Sequence, residues 1–235
     1  MMRTCLNLVA CIAAVLGGGA LVSAPAFSPR SAAAADLSVL TADDNVTIPR
    51  ELMVVRLTGE ITPGTTEDLR RAWSSRGVEI GRLLLDLESI GGELIETEKI
   101  IAFIEGLRQS ARVDTLVRHG AICASACVGI FAQGERRSAG GASVWVFHGV
   151  CPPGSTIPSF AATCRGLDLL RKAGVKEEFL QMLLRDGYLS RPGALWLSGY
   201  ELYRVHDAGL ITRLLEAWQP DYPADIGPPS GISAQ

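Results

Sequence analysis

Residues 82–94 read RLLLDLESIGGEL, and this stretch decides how the rest of the chain is to be read. Arg82 to Leu87 is a short apolar run of buried-strand type, which Ser89-Ile90-Gly91-Gly92 interrupts. Immediately beyond, Leu94, Ile95, Ile100, Ile101, Ile104 and Leu107 recur at helical spacing within ELIETEKIIAFIEGLRQSA, so one face of a helix is apolar. A strand, a glycine turn and an amphipathic helix in that order form one β-turn-α unit.

The same cycle appears on both sides. Upstream, MVVRLTGEI (53–61) alternates as a strand does, Thr62-Pro63-Gly64 turns the chain, and TTEDLRRAWSSRG carries helix-start residues and helical spacing. Downstream, DTLVR (114–118) is a strand, and GAICASACVGIF (120–131) leads into a helix over Ala124 to Ala132. That helix is apolar on nearly every side, so it must be buried. Gly134 to Gly141 reads as a polar turn and SVWVFHGV (143–150) as a strand ending in His148. Helices follow over about Phe160 to Ala173, Lys176 to Asp186 and Gly199 to Ala208. Strands alternating with helices predict an α/β fold with a parallel-rich sheet, in which sites collect at the strand C-terminal ends.

Length and charge narrow the function. The 235 residues, 48% hydrophobic and 20% charged, suffice for one sizeable core, and a net charge of −3 without a cluster of Lys and Arg argues against nucleic acid as a partner. At the N-terminus, Arg3 precedes the apolar stretch LNLVACIAAVLGGGALV (6–22), followed by small residues. This is the pattern of an export signal over residues 1–35, with cleavage after Ala26 or at the end of the Ala32–Ala35 run. A retained membrane anchor is the alternative, disfavoured by the three glycines. Residues 36–51 read as a polar lead-in, 52–218 as the folded domain, and 219–235, rich in Pro and Gly, as a disordered tail.

Export places Cys123, Cys127, Cys151 and Cys164 in an oxidising compartment, where three pairings are open. Cys151 with Cys164 is preferred, because they bracket the insertion-like CPPGSTIPSFAATC; a Cys123–Cys127 bridge is geometrically demanding. The three histidines, 119, 148 and 206, lack the close ligand spacing of a metal site, and no cofactor is implied.

Three features carry chemistry in combination. A serine is a poor nucleophile unless a base takes its proton and backbone donors receive the oxyanion. Ser125 begins a short buried helix whose first amides lack intrahelical acceptors, Gly91-Gly92 lets main-chain N–H groups approach a carbonyl, and His148 ends the next strand. Taken singly, each has a simpler explanation: a helix N-cap, a turn, and a core or surface histidine. Their chain order gives them weight together.

That order resembles the Clp protease proteolytic subunit and signal peptide peptidase A, within the crotonase-like superfamily, and most of all the exported Clp-protease-like proteins of bacteria. The resemblance spans about residues 52 to 215 and rests on LLLDLESIGGEL, GAICASACVGIF, WVFHGV (145–150) and LWLSGYELYRVHDAGLIT (195–212). It implies repeated ββα units with outer helices, and Ser125 as nucleophile with His148 as general base. Backbone donors at Gly91, Gly92 and Ala126, a peptide or protein substrate and a homo-oligomer are implied as well. Two departures stand out. Ile90 replaces the family's proline, and the family's third catalytic residue, an aspartate, falls near Gly193 and Ala194, where there is no carboxylate. Asp186 is the substitute within reach in sequence. The leading expectation is therefore an exported serine hydrolase, with a noncatalytic peptide-binding or assembly module on the same fold as the alternative. A crotonase-like acyl-CoA enzyme fits poorly with export, since CoA thioesters are cytosolic.

Overall fold

The computed structural model describes residues 34–43, 47–152 and 154–215. The export signal and the tail from 219 onward lie outside the described residues. The chain runs β1 (Asp36–Leu40), β2 (Leu52–Ile61), α1 (Thr65–Ser74), β3 (Arg82–Gly92), α2 (Leu94–Leu107), β4 (Arg112–Val117) and β5 (Ile122–Ala124). It continues with α3 (Ala126–Phe131), β6 (Arg137–Gly140), β7 (Val144–Phe147), α4 (Phe160–Lys172), α5 (Glu177–Arg185), β8 (Leu195–Ser198), a π-helical turn (Glu201–Val205) and β9 (Arg213–Leu215).

The sheet forks around β3. Residues 82–86 of β3 pair with β4, and β6 and β9 continue that wing. Farther along, Ser89 of β3 pairs with Cys123 of β5, and β7 and β8 continue a second wing. Strand β2 flanks β3 throughout, and every pairing is parallel except β1 with β2 and β7 with β8. The expected α/β class with a parallel-rich sheet is what the structure has. The fork matters for function because β5 and β7, which end at Ser125 and His148, are neighbours in the second wing.

The period-two side-chain alternation of strands sets the core. Met53, Val55 and Leu57 of β2 and Leu83, Leu85 and Leu87 of β3 are all buried on one face. Helix α2 covers that core with Ile100, Ile101, Phe103, Ile104 and Leu107, whereas Ile95, grouped with them by spacing, is exposed. Helix α3 is buried from Cys127 to Phe131, as its all-round apolarity requires, and Phe131 meets Trp145 of β7 edge-on at 4.7 Å.

Several segments depart from expectation. The lead-in contains β1, whose residues Asp36 to Leu40 pair antiparallel with Thr58 to Val54. The 134–141 segment contains β6, a strand made by its neighbours β4 and β9 rather than by its own composition. The helix expected over Gly199 to Ala208 is a five-residue π-helical turn after β8, in which the Glu201 carboxylate folds back to accept from the Ser198 N–H and Oγ.

The disulfide preference is corrected as well. Cys123 and Cys127 are bonded, whereas Cys151 and Cys164 do not share a bridge. The chain reverses at Ser125, which brings Cα123 and Cα127 to 5.3 Å, inside the bridgeable range. In a continuous strand they would lie roughly 13 Å apart. The 151–164 segment is held by hydrogen bonds instead, from Ser159 N–H to the Val150 carbonyl and from Val150 N–H to Thr163 Oγ1.

Candidate active site

Ser125 stands between β5 and α3 with φ 54° and ψ −119°. A non-glycine residue at positive φ is costly, about 1–3 kcal/mol, and persists only where its surroundings determine it. Here its N–H donates to the Val146 carbonyl of β7 at 2.9 Å, and its carbonyl accepts from Val128 N–H at 3.0 Å. Its hydroxyl makes no cap to α3, so the common role of a serine at a helix start is not the one it plays. Gly91 packs directly behind: a Cβ there would stand 2.7 Å from the Ala124 carbonyl oxygen and 2.8 Å from Ser125 Cβ. Only a glycine, at φ 94°, lets the elbow sit against β3.

His148 follows β7 directly, and its Nδ1 lies 2.8 Å from the Gly149 carbonyl oxygen. A carbonyl only accepts, so Nδ1 carries the proton and Nε2 is left with its lone pair. That Nε2 is buried and has no hydrogen-bond partner among the described residues. Burial pushes the His148 pKa below the ordinary 6.5, against a smaller upward pull from the Gly149 carbonyl, so the ring is neutral at pH 7.

Ser125, Ala126, His148 and Gly92 line one cavity of ≈ 80 Å³. Leu94 and Thr97 of α2, Thr163, Leu167 and Leu170 of α4, and Leu183 and Leu189 farther along the chain also line it. Ala126 is the first residue of α3, so its amide has no intrahelical acceptor. The Gly91 N–H, by contrast, donates to Ser89 Oγ at 3.1 Å, which in turn donates to the Gly59 carbonyl. Of the two glycines, Gly92 is the one on the cavity.

No protein-family model and no curated protein matches the chain. Among solved structures, a mutant of ClpP1 from Listeria monocytogenes is similar. The likeness covers 70% of this chain and 91% of that one, at 17% sequence identity and a TM-score of 0.46.

Asp186 is not brought to His148. It closes α5 and pairs with Arg185 at 3.1 Å, and it is absent from the cavity wall. The group that holds the imidazole is the Gly149 carbonyl, which the sequence does not advertise because every residue carries one. Gly149 itself is enforced: a Cβ there would meet the Leu189 carbonyl oxygen at 2.2 Å and Pro158 Cβ at 2.6 Å. The Cys151 thiol also donates to this carbonyl, at 3.7 Å. Among the described residues, no group of His, Cys, Asp and Glu is placed to hold a metal ion.

The arrangement has the parts of acyl transfer in one place: a hydroxyl on a strained turn, a neutral imidazole nitrogen and a main-chain amide. Nε2 without a partner means that the Ser125–His148 hydrogen bond is not made in this state. A rotation of the serine or imidazole side chain would have to close it before proton transfer.

Proposed function

We propose that the protein is a serine hydrolase acting on peptide bonds, with Ser125 as nucleophile and His148 as general base. The observation that carries this reading is the shared cavity, lined by a serine on a positive-φ elbow and by a neutral histidine whose Nε2 is buried and unpartnered among the described residues. In the reaction, His148 Nε2 takes the Ser125 proton as Oγ attacks the acyl carbon, and the Ala126 and Gly92 amides face the developing oxyanion. The imidazolium then returns its proton to the leaving amine, and water repeats the cycle on the acyl-enzyme. The Gly149 carbonyl fixes the tautomer that this sequence needs.

A carbonyl carries only a partial negative charge, so it stabilises the imidazolium less than a carboxylate would, and turnover is expected to be slow. We place the protein outside the cytoplasm, on the N-terminal signal pattern and on a disulfide of the kind that persists in oxidising compartments. The sequence resemblance adds a homo-oligomer to the proposal. A second reading, a peptide-binding module without turnover, draws on one observation: no carboxylate contacts His148 among the described residues.

A fluorophosphonate probe separates the two. Labelling of the native protein that Ser125→Ala abolishes supports the hydrolase. An unlabelled protein whose circular dichroism shows an intact fold leaves the binding module.

A further inference from the structure

We propose that the Cys123–Cys127 disulfide positions the nucleophile, so that the site is assembled only in the oxidised protein. The inference rests on reading Ser125 as the nucleophile, and it assigns the bridge a role through that residue.

The bridge encloses the elbow. Cys123 lies in β5, paired with Ser89 of β3 and Trp145 of β7, and Cys127 is the second residue of α3. Between them stand Ala124, Ser125 and Ala126, with Ser125 at φ 54°. Both cysteines are fully buried, so the ring they close is anchored in the sheet at one end and in the core helix at the other.

The other restraints on Ser125 are modest. Two main-chain hydrogen bonds hold it, to Val146 and from Val128, and Gly91 only leaves room for the turn. Helix α3 has six residues, too few to dictate the conformation of the residue before it. While the bridge is intact, the chain cannot straighten between 123 and 127. Once it opens, Ser125 can leave the positive-φ region and carry its Oγ and the Ala126 amide away from His148 and Gly92. Reduction by a dithiol proceeds by thiolate attack on one cysteine sulfur, giving a mixed disulfide, which the reductant's second thiol resolves. The protein gains two electrons and two protons as two thiols, and the reductant becomes a disulfide. Formation is the reverse exchange with a disulfide donor. The site would thus be unassembled in a reducing cytosol and assembled in an oxidising compartment.

The test compares the oxidised full chain, the same protein reduced with dithiothreitol, and the C123A/C127A double variant. Bridge status is read from the tryptic peptide 119–136, which contains both cysteines and is lighter by two hydrogens when oxidised. Fluorophosphonate labelling of Ser125 is expected to lose about tenfold or more in kinact, with KI unchanged, in both bridge-free forms, and reoxidation should restore the wild type. Equal kinact in all three overturns the positioning role. So does loss of the near-UV dichroism of Trp145 in both bridge-free forms, which would make the bridge a general staple. If the oxidised protein is not labelled at all, the hydrolase reading fails separately. The three-bond HN–Hα coupling of Ser125 then decides: a change on reduction upholds the positioning role, and an unchanged value overturns it.

Discussion

At the scale of single residues, His148 links the site to pH. Its proton affinity in the fold is lowered by burial, while in the unfolded chain it returns to the ordinary value of 6.5. Below 6.5 the unfolded state therefore binds the proton first, and stability falls as the pH drops toward the folded value; above 6.5 the residue contributes no pH dependence. His148→Gln should remove this acid loss. Thermal melts of wild type and variant at pH 7.5 and 5.5 check it, and parallel pH dependence in the two proteins would refute the assignment. The same shift keeps Nε2 unprotonated in mild acid, so probe labelling should reach half its maximum below pH 6.5. Ser125 and His148 were legible in the sequence because small residues around a serine and a histidine at a strand end are local patterns. The Gly149 carbonyl was not, since a main-chain acceptor leaves no side-chain signature. The Cys123–Cys127 bridge is hidden from the sequence for a related reason: its feasibility depends on the reversal at Ser125, a backbone conformation and not a spacing.

At the scale of elements, the first two helices are joined by one carboxylate. Glu96, buried in the first turn of α2, accepts from Thr66 N–H at 2.8 Å and Thr66 Oγ1 at 2.7 Å, and Lys99 Nζ donates to it at 3.2 Å. Because Gly64 at the N-cap of α1 has no side chain, Glu96 serves an amide of that helix that no local residue caps. Burial alone would raise the Glu96 pKa, but the Thr66 and Lys99 hydrogen bonds outweigh it and hold the pKa below 4.5. The carboxylate's contribution is present above 4.5 and is lost as the pH falls through the lower folded value. Glu96→Ala should cost about 2–3 kcal/mol in urea denaturation at pH 7. Glu96→Gln, which keeps one acceptor, should cost less and should flatten the loss below pH 4.5. A cost for Glu96→Ala below about 0.5 kcal/mol would show that the contact contributes little. The long periodic segments β2, β3 and α2 were readable because many residues vote for one period. Short ones were not. Arg137 to Gly140 is polar and becomes a strand only between β4 and β9, and LWLS (195–198) is too brief for its alternation to outweigh the helical spacing after it.

At the scale of the whole molecule, the fork at β3 explains why one chain order yields one site. The parallel register places the ends of β5 and β7 side by side, while the other wing extends through β4 and β6 to β9. The sequence predicts parallel strands but not which of them are neighbours, so the fork itself was not legible. What secures the far end of the β4–β6–β9 wing is Arg137. Its guanidinium donates to the carbonyls of Leu210 (2.7 Å), Gly209 (2.9 Å), Ala173 (3.2 Å) and Ala132 (3.4 Å). Ala132 and Ala173 are the C-terminal caps of α3 and α4, so the cation sits where both helices present unpaired carbonyls and the negative ends of their dipoles. Gly209 and Leu210 lead into β9, which pairs with β6 itself. One side chain thus joins two helix ends, an inner strand and the closing strand. Arg137→Ala leaves these carbonyls without their donor and should destabilise the fold by about 2–4 kcal/mol. Arg137→Lys should rescue little, because a single ammonium cannot span the fork that a planar guanidinium reaches. Amide exchange across 209–215 should accelerate in both variants before exchange in β2 and β3 does, since β9 is an edge strand of three residues while β2 and β3 are the buried centre. A lysine variant with wild-type exchange in 209–215 would mean that the β6–β9 ladder alone holds the closing strand.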